Sequence, residues 1–572
     1  MVLGQVTALS PTLGGHIGPP LHGIVRDTVP PLIIPITHLS YDSRNVKAGT
    51  LFFCKGAHFE PEYLAQAVKA GAVAYVSEQD YSEFLASAGL PEVPILLVRE
   101  IRPAIADCAA LFYRGLTEHL TIVGFTGTKG KSTATYMLRA ILDNWLVQQG
   151  KAKSAWLSSI DNYDGVACTR SPLTTQDVLE LYAHFKNTVD SGIEYLTMEV
   201  SSQALKYGRT RNVPFEVAGF LNIGDDHISD IEHPDHEDYL ASKLKIFKQG
   251  RIAIINRESD IFERALKAAG SCEQILTYGQ VEEADIVASN IESSPQGLRF
   301  DVVFDKGITG TAACVKKPSK PTSSCASRSD TATFGSAKRD STGVAGSSRS
   351  FKQVLQHPAT PDAQDDGFSH SLTGCISIPM VGRFNVENAL AAISAAIALG
   401  VPMEHIEQGL AQAEVSGRMQ IVAGPDDKLI IVDYAHNKMS FETIFTDMAH
   451  EFPNRPITCV FGATGTKATE RRFEMAAVAV KYASSIYITE DDPGEEPLAL
   501  INAQITKVIE DAGMTPHIIE DRDKAITHAI FDSPAKSLIL ILGKGHESIM
   551  RRGRELIEVP SDKDRVQTIL NS

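Results

Sequence analysis

Residues 124–133 read GFTGTKGKST, a glycine-rich run ending in Gly-Lys-Ser. Glycines let a backbone approach phosphate oxygens closely, so Gly127 and Gly130 suit a nucleotide loop. Lys131 would place a point charge on the β- and γ-phosphates, and Ser132 would offer a hydroxyl to Mg2+. The spacing departs from the common phosphate loop: five residues rather than four separate Gly124 from Gly130, and Lys129 stands inside the loop. Two acidic or imidazole groups follow apolar stretches further on, Glu199 in TMEVSSQAL and His227 in FLNIGDDHISD. Parallel sheets bind ligands at the carboxyl ends of their strands, so Ser132, Glu199 and His227 are candidates to converge on one divalent cation beside the phosphates.

These groups need a frame. LTIVGFTG reads as a buried strand entering the loop, and STATYMLRAILDNWL as a helix leaving it, with Met137, Leu138, Ile141 and Leu142 at helical spacing. Strand-like YLTMEVS, VAGFLNI and IAIIN alternate with helical stretches, which predicts an α/β, mostly parallel sheet. Upstream, YLAQAVKAG followed by AVAYVS predicts a helix stopped at Gly71 and a strand, part of a smaller α/β unit. Downstream, KLIIVDY, ITCVFGA, SIYITE and SLILILGKG predict a third α/β unit after a linker at VSGRMQIV. Three domains follow, with boundaries at 1–118, 119–415 and 416–572. Residues 306–370 are rich in Ser and Thr, and a segment with so few large apolar groups is expected to be a disordered surface insertion.

The chain has 572 residues, 43% apolar and 22% charged, with a net charge of −16, which argues against a general nucleic-acid binder. The eight cysteines are scattered with no Cys-x-x-Cys pair, which argues against a zinc ribbon and fits a reducing compartment. No signal-peptide pattern and no membrane-spanning apolar run is read, so a cytoplasmic protein without membrane insertion is expected.

Ten motifs in order resemble the Mur ligase family of peptidoglycan synthesis, in its branch that adds the third residue of the peptide. They are DSRNVKAGTLFFCKG, GFTGTKGKST, TTQD, MEVSSQAL, NIGDDH, GRFNVENALAA, GRM, VDYAH, EDDP and GKGHE. The resemblance implies a UDP-sugar-binding first domain, a phosphate-loop ATPase core and a Rossmann-like third domain that brings the amino acid. It implies that ATP phosphorylates the γ-carboxyl of D-Glu in UDP-MurNAc-L-Ala-D-Glu, and that the amine of a diamino acid displaces the phosphate. Carried over onto matching positions, Gly127, Thr128, Gly130, Lys131, Ser132, Thr133, Asn388, Arg418, Asp433 and His436 would contact ATP. Ser43 and Arg44 would lie by the uridine nucleotide, and Thr174, Thr175, Ser201 and Arg209 would hold the sugar-peptide portion. Lys131, Glu199, His227 and Lys243 would be catalytic. Ser132, Glu199, His227 and a carbamylated Lys243 would hold Mg2+. Asp491, Asp492, Gly543 and Glu547 would receive the amino acid, and a monomer is expected.

The sequence departs from that pattern at EDDPG, where Gly494 replaces the arginine that clamps the distal carboxylate in the diaminopimelate-adding branch. An acidic pocket of Glu490, Asp491 and Asp492 with no opposing guanidinium would favour a distal ammonium. L-lysine is the expected amino acid, with meso-diaminopimelate and ornithine as alternatives. Gln203 replaces a commoner His and Lys129 a commoner Asn, while Arg471 and Arg472 are kept. A folylpolyglutamate-type ligase and a non-catalytic scaffold on the same fold are the competing readings.

Overall fold

The structure is a computed structural model that describes residues 34–56, 58–171, 173–224, 232–305, 371–466 and 469–572. His227 and the expected insertion at 306–370 lie outside the described residues. Among the described residues, three large sheets and one two-stranded hairpin organise the chain. The first has four parallel strands, His38–Ser40, Thr50–Phe53, Ala72–Ser77 and Ile95–Leu97. The expected helix, Pro61–Ala70, buries Leu64, Ala65, Ala67 and Val68, and stops at Gly71 with φ +114°. A Cβ at Gly71 would sit 3.0 Å from the Ala48 backbone, so glycine is needed for this turn into the next strand.

The second sheet has eleven strands, and Thr121–Thr126 is interior to it. Tyr195–Glu199 and Phe215–Phe220 flank that strand, both parallel to it. The strand is buried on both faces, as a continuous apolar run requires. Ile122 enters one core with Phe215 and Leu196, whereas Val123 and Phe125 enter another with Met137, Leu138, Ile141 and Leu142 of the helix Lys131–Gln148. Each such fully buried side chain contributes about 2 kcal/mol. The strands from Ile286–Ser294 across to Ala155–Leu157 run parallel. Both edges, however, are antiparallel: Gly297–Asp305 with Ser371–Ile378 on one side, and Asp161–Tyr163 with Cys168–Arg170 on the other. Asp305 pairs with Ser371, so residues 306–370 join two neighbouring antiparallel strands.

The third sheet has six strands and is parallel except for Gln420–Ala423, which pairs antiparallel with Leu429–Asp433. The stretch expected to be a linker is therefore strand from Gln420 onward, because Ile421 and Val422 pair with Ile431 and Ile430. Central and third domains are tied at a helix start. The helix Phe384–Ala398 has no capping side chain of its own. Glu451 accepts from Gly382 N at 3.2 Å and Asp447 from Phe384 N at 3.3 Å, both from the helix Lys438–Glu451 of the third domain.

Within the third domain, Arg522 and Asp562 are fully buried and joined by two hydrogen bonds of 2.7 Å. Arg522 also donates to the carbonyls of Leu542 and Glu490, fixing the carboxyl ends of two strands. Arg522→Met should cost about 3–5 kcal/mol, because a buried carboxylate is left unpaired. Urea unfolding should show this as a large drop in midpoint. A midpoint within experimental error of the parent would contradict the role assigned to the pair.

Candidate active site

The carboxyl end of Thr121–Thr126 runs into the loop 127–130, and the helix Lys131–Gln148 begins there with its N-terminus exposed to the loop's concavity. Gly130 has φ +84°, and a Cβ there would fall 2.1 Å from Asn388 Oδ1. Asn388 is thus packed directly on the loop, oriented by its Nδ2 donating to Asn385 Oδ1 at 3.0 Å. The loop is held from the neighbouring strand's end by Asn222, whose Oδ1 accepts from Thr128 N (3.1 Å) and Lys129 N (2.9 Å). Lys131 Nζ donates to Gly127 O at 2.9 Å and Thr128 O at 3.2 Å. Lys243, only 2% exposed, donates to Gly127 O at 2.8 Å and lies over the Tyr239 ring. Thr128 Oγ1 is 3.0 Å from Tyr239 OH, and Thr133 is buried in the first helical turn. Two lysines therefore converge on one carbonyl beside the phosphate cradle.

Glu199, 1% exposed, ends the adjacent strand. Its Oε1 accepts from Ser159 N at 2.8 Å and Ser159 Oγ at 3.1 Å, and Ser159 Oγ lies 3.2 Å from Ser132 Oγ. Ser159 carried no signal in the sequence, yet it links the two expected oxygen ligands. Among the described residues no group of three or more His, Cys, Asp and Glu side chains is placed to hold a metal ion. The site nevertheless offers a hydroxyl and a buried carboxylate, the hard oxygen donors that suit Mg2+, an ion that keeps several waters. Thr175 is knitted to Glu199 through Thr175 Oγ1 to Glu199 O at 3.0 Å, and it accepts from Ser201 N at 2.9 Å. Arg209 donates to Thr175 O at 3.0 Å, and Thr174 is half-buried next to it. Across the junction, Ser43 donates to Gln66, whereas Arg44 is solvent-exposed and pairs with Asp42 of its own turn.

The third sheet presents its own carboxyl edge. Asp433 ends the strand Leu429–Asp433, where its oxygens accept from Met419 N and Ala435 N, each at 2.8 Å. Burial raises its pKa, with Arg418 opposing. Arg418 lies over the Tyr434 ring, 4.6 Å from its centroid. Burial, then the charge of Lys129, push His436 down to about 3. Lys129 of the phosphate loop thus acts electrostatically on two groups of the third domain. Met439 Sδ would lie 2.7 Å from a Cβ at Gly224, so the two carboxyl edges meet at this cleft.

The same edge carries the acids. Gly543 has φ +113°, and a Cβ there would meet Asp491 Oδ2 at 2.4 Å. Burial raises Asp491 to about 7. Contrary to expectation, the acids are not left without cations. Lys544 donates to Asp492 Oδ1 (3.0 Å), Glu547 Oε2 (2.6 Å) and Ile549 O (2.7 Å), and Arg552 pairs with Glu490. Both cations are distant in sequence from EDDP, and the hairpin Ile549–Arg552 with Glu555–Glu558 delivers the arginine. Of the two retained arginines, Arg472 is buried and spent on Glu496 and the Thr464 carbonyl, while Arg471 acts electrostatically on His436.

Comparison with known proteins resolves the family. The Mur ligase middle domain matches residues 125–313, and the Mur ligase glutamate ligase domain matches 417–545. A UDP-N-acetylmuramyl-tripeptide synthetase of Lactobacillus delbrueckii subsp. bulgaricus is 34% identical over 92% of this chain and 91% of its own. The chain belongs to the Mur ligase family. It is an ATP-dependent, amide-forming ligase of the tripeptide-forming branch of peptidoglycan synthesis. A second relative, the UDP-N-acetylmuramoyl-L-alanyl-D-glutamate–L-lysine ligase of Enterococcus faecalis, is 34% identical over 89% of this chain and 87% of its own. Among solved structures, a UDP-N-acetylmuramoyl-L-alanyl-D-glutamate–2,6-diaminopimelate ligase shares the fold, with TM-score 0.61 and 22% identity over 96% of this chain and 97% of that one.

In this Mur ligase, His546 of the GKGHE motif is also held near 3, by burial first and then by Arg418, Lys544 and Arg170. His436 and His546 are therefore neutral at neutral pH. In the unfolded chain each titrates near 6.5. As pH falls below 6.5 toward 3, the unfolded state takes up protons that the fold refuses, and stability is lost. Urea midpoints should drop between about pH 7.5 and about pH 5.5, and the drop should shrink in His436→Gln and His546→Gln. A drop as large as the parent's in both variants would contradict this assignment.

Proposed function

We propose that the enzyme joins the α-amine of L-lysine to the γ-carboxylate of D-glutamate in UDP-MurNAc-L-Ala-D-Glu. Residues 1–118 would bind the UDP-sugar, 119–415 the ATP phosphates and 416–572 the amino acid. Support comes from one arrangement: the phosphate loop, Asn388 and the Asp433–His436 group meet at a single cleft, with Thr175, Ser201 and Arg209 on one side and the acid cluster on the other.

Both reactants that must meet are anions. In the proposed step a γ-carboxylate oxygen attacks the γ-phosphorus of ATP, the bond to the β-γ bridging oxygen breaks, and ADP leaves with that electron pair. Lys131 and Lys129 screen the approach, and Arg418 adds charge from the third domain as the domains close. Mg2+ held by Ser132 and Glu199, with a carbamate on Lys243, would supply Lewis-acid stabilisation of the transferring group. The amine nitrogen then attacks the acyl carbon and loses a proton, and the C–O bond breaks to release phosphate. Without phosphorylation the leaving group would be an oxide.

The choice of lysine rests on glycine at 494 and on four acids, Glu490, Asp491, Asp492 and Glu547, against two paired cations, Lys544 and Arg552. One observation favours a second reading, meso-diaminopimelate. Gly494 is open, and Arg551 Cδ stands 3.8 Å from where its Cβ would be, so the hairpin brings a guanidinium near the position that lacks one. Phosphate release with UDP-MurNAc-L-Ala-D-Glu and an amino-acid panel decides between them. Lysine should exceed diaminopimelate and ornithine by about tenfold in kcat/KM. A preference for diaminopimelate that Arg551→Ala abolishes would establish the second reading, and phosphate release indifferent to the UDP-dipeptide would contradict both.

A further inference from the structure

We infer that Asp177 is an internal counter-ion occupying the place of a substrate anion at the junction of the first and central domains. The inference rests on the UDP-sugar reading above. Asp177 joins the two domains: Lys55 Nζ lies 2.9 Å from its Oδ2 and Arg209 Nε 2.9 Å from its Oδ1. Arg102 stacks over the Tyr207 ring, 4.0 Å from its centroid. Together these residues line a cavity of about 80 Å³ in which Asp177 is the one acid facing three cations. By this measure a single water needs only about 10–15 Å³, so the cavity has room for one phosphate or carboxylate group. The neighbouring acid, Glu180, is already engaged by the Tyr41 hydroxyl.

A second observation shows that Asp177 is diverted from another task. It is the N-cap of the helix Val178–Asp190, yet its side chain makes no capping hydrogen bond. Aspartate in that position ordinarily accepts from the second or third helical N–H. Here the carboxylate is spent on Lys55 and Arg209, and the helix N-terminus, at Val178, borders the cavity. An anion entering the cavity would take over the cations, and Asp177 would turn back to cap its helix. The internal ion pair is thus exchanged for a substrate ion pair and a helix cap, and the two domains become joined through the substrate. Both a phosphate of the UDP moiety and a carboxylate of the dipeptide have the required chemistry.

Asp177→Asn keeps a capping side chain and removes the competing charge. Calorimetric titrations of the parent, Asp177→Asn and Lys55→Gln would use UDP, MurNAc-L-Ala-D-Glu and UDP-MurNAc-L-Ala-D-Glu as probes, each at low and high salt. Asp177→Asn should bind the full substrate about fivefold tighter, because no internal competitor must be displaced. Its affinity should also fall more steeply with salt, and Lys55→Gln should bind more weakly than the parent. A gain carried by UDP identifies the phosphate as the entering group, and a gain carried by the muramoyl dipeptide identifies the carboxylate. Unchanged or weaker binding by a folded Asp177→Asn, while the parent binds, would overturn the inference and leave the functional reading intact. If the Asn variant does not fold, unchanged affinity in Lys55→Gln overturns it. Absence of any binding to the parent would overturn the functional reading, and this inference with it.

Discussion

Bringing two anions into contact requires cations fixed in place before either arrives, and the fold is arranged around that requirement. Thr121–Thr126 ends between two parallel neighbours, so the loop after it, Glu199 and Asn222 all fall at one edge. Asn222 holds the loop amides, Gly130 leaves room for Asn388, and the Lys131 ammonium is fixed on the Gly127 carbonyl. None of these positions is set by local sequence alone. Each depends on strand order, and strand order depends on the apolar residues that fill both faces of the sheet.

The third domain obeys the same constraint by different means. Its buried charges are compensated internally: Arg522 by Asp562, Lys544 by Asp492 and Glu547, Glu490 by Arg552. A buried charge without a partner would cost several kcal/mol, roughly the size of a domain's net stability. The pairing leaves these acids compensated, so under the proposed function amino-acid selection would turn on a balance of nearby charges rather than on one missing arginine. Asp447 and Glu451 extend the same economy across the domain junction, where carboxylates of one domain satisfy helix amides of the other.

Much of the frame was legible in the sequence. The strand, loop and helix at 121–148, the helix stopped at Gly71 and the alternation of strands and helices follow from short-range apolar spacing and glycine placement. The antiparallel edges were not legible, because direction of pairing is a long-range property, and neither was the strand at Gln420–Ala423. Ser159 and Lys544 were missed for the same reason: a serine in a turn and a lysine among glycines become site residues only when distant strands place Glu199 and Asp492 beside them. Asn222 was within reach, since it stands in the NIGDDH motif just ahead of the residues selected from it.

The central claim is that the phosphate loop serves to make an acyl phosphate. Oxygen tracing tests it directly. With the γ-carboxylate of the D-glutamyl residue labelled with heavy oxygen, turnover should release inorganic phosphate carrying one labelled oxygen, because the carboxylate oxygen that attacks phosphorus leaves with it. Phosphate released without label during amide formation would contradict the account.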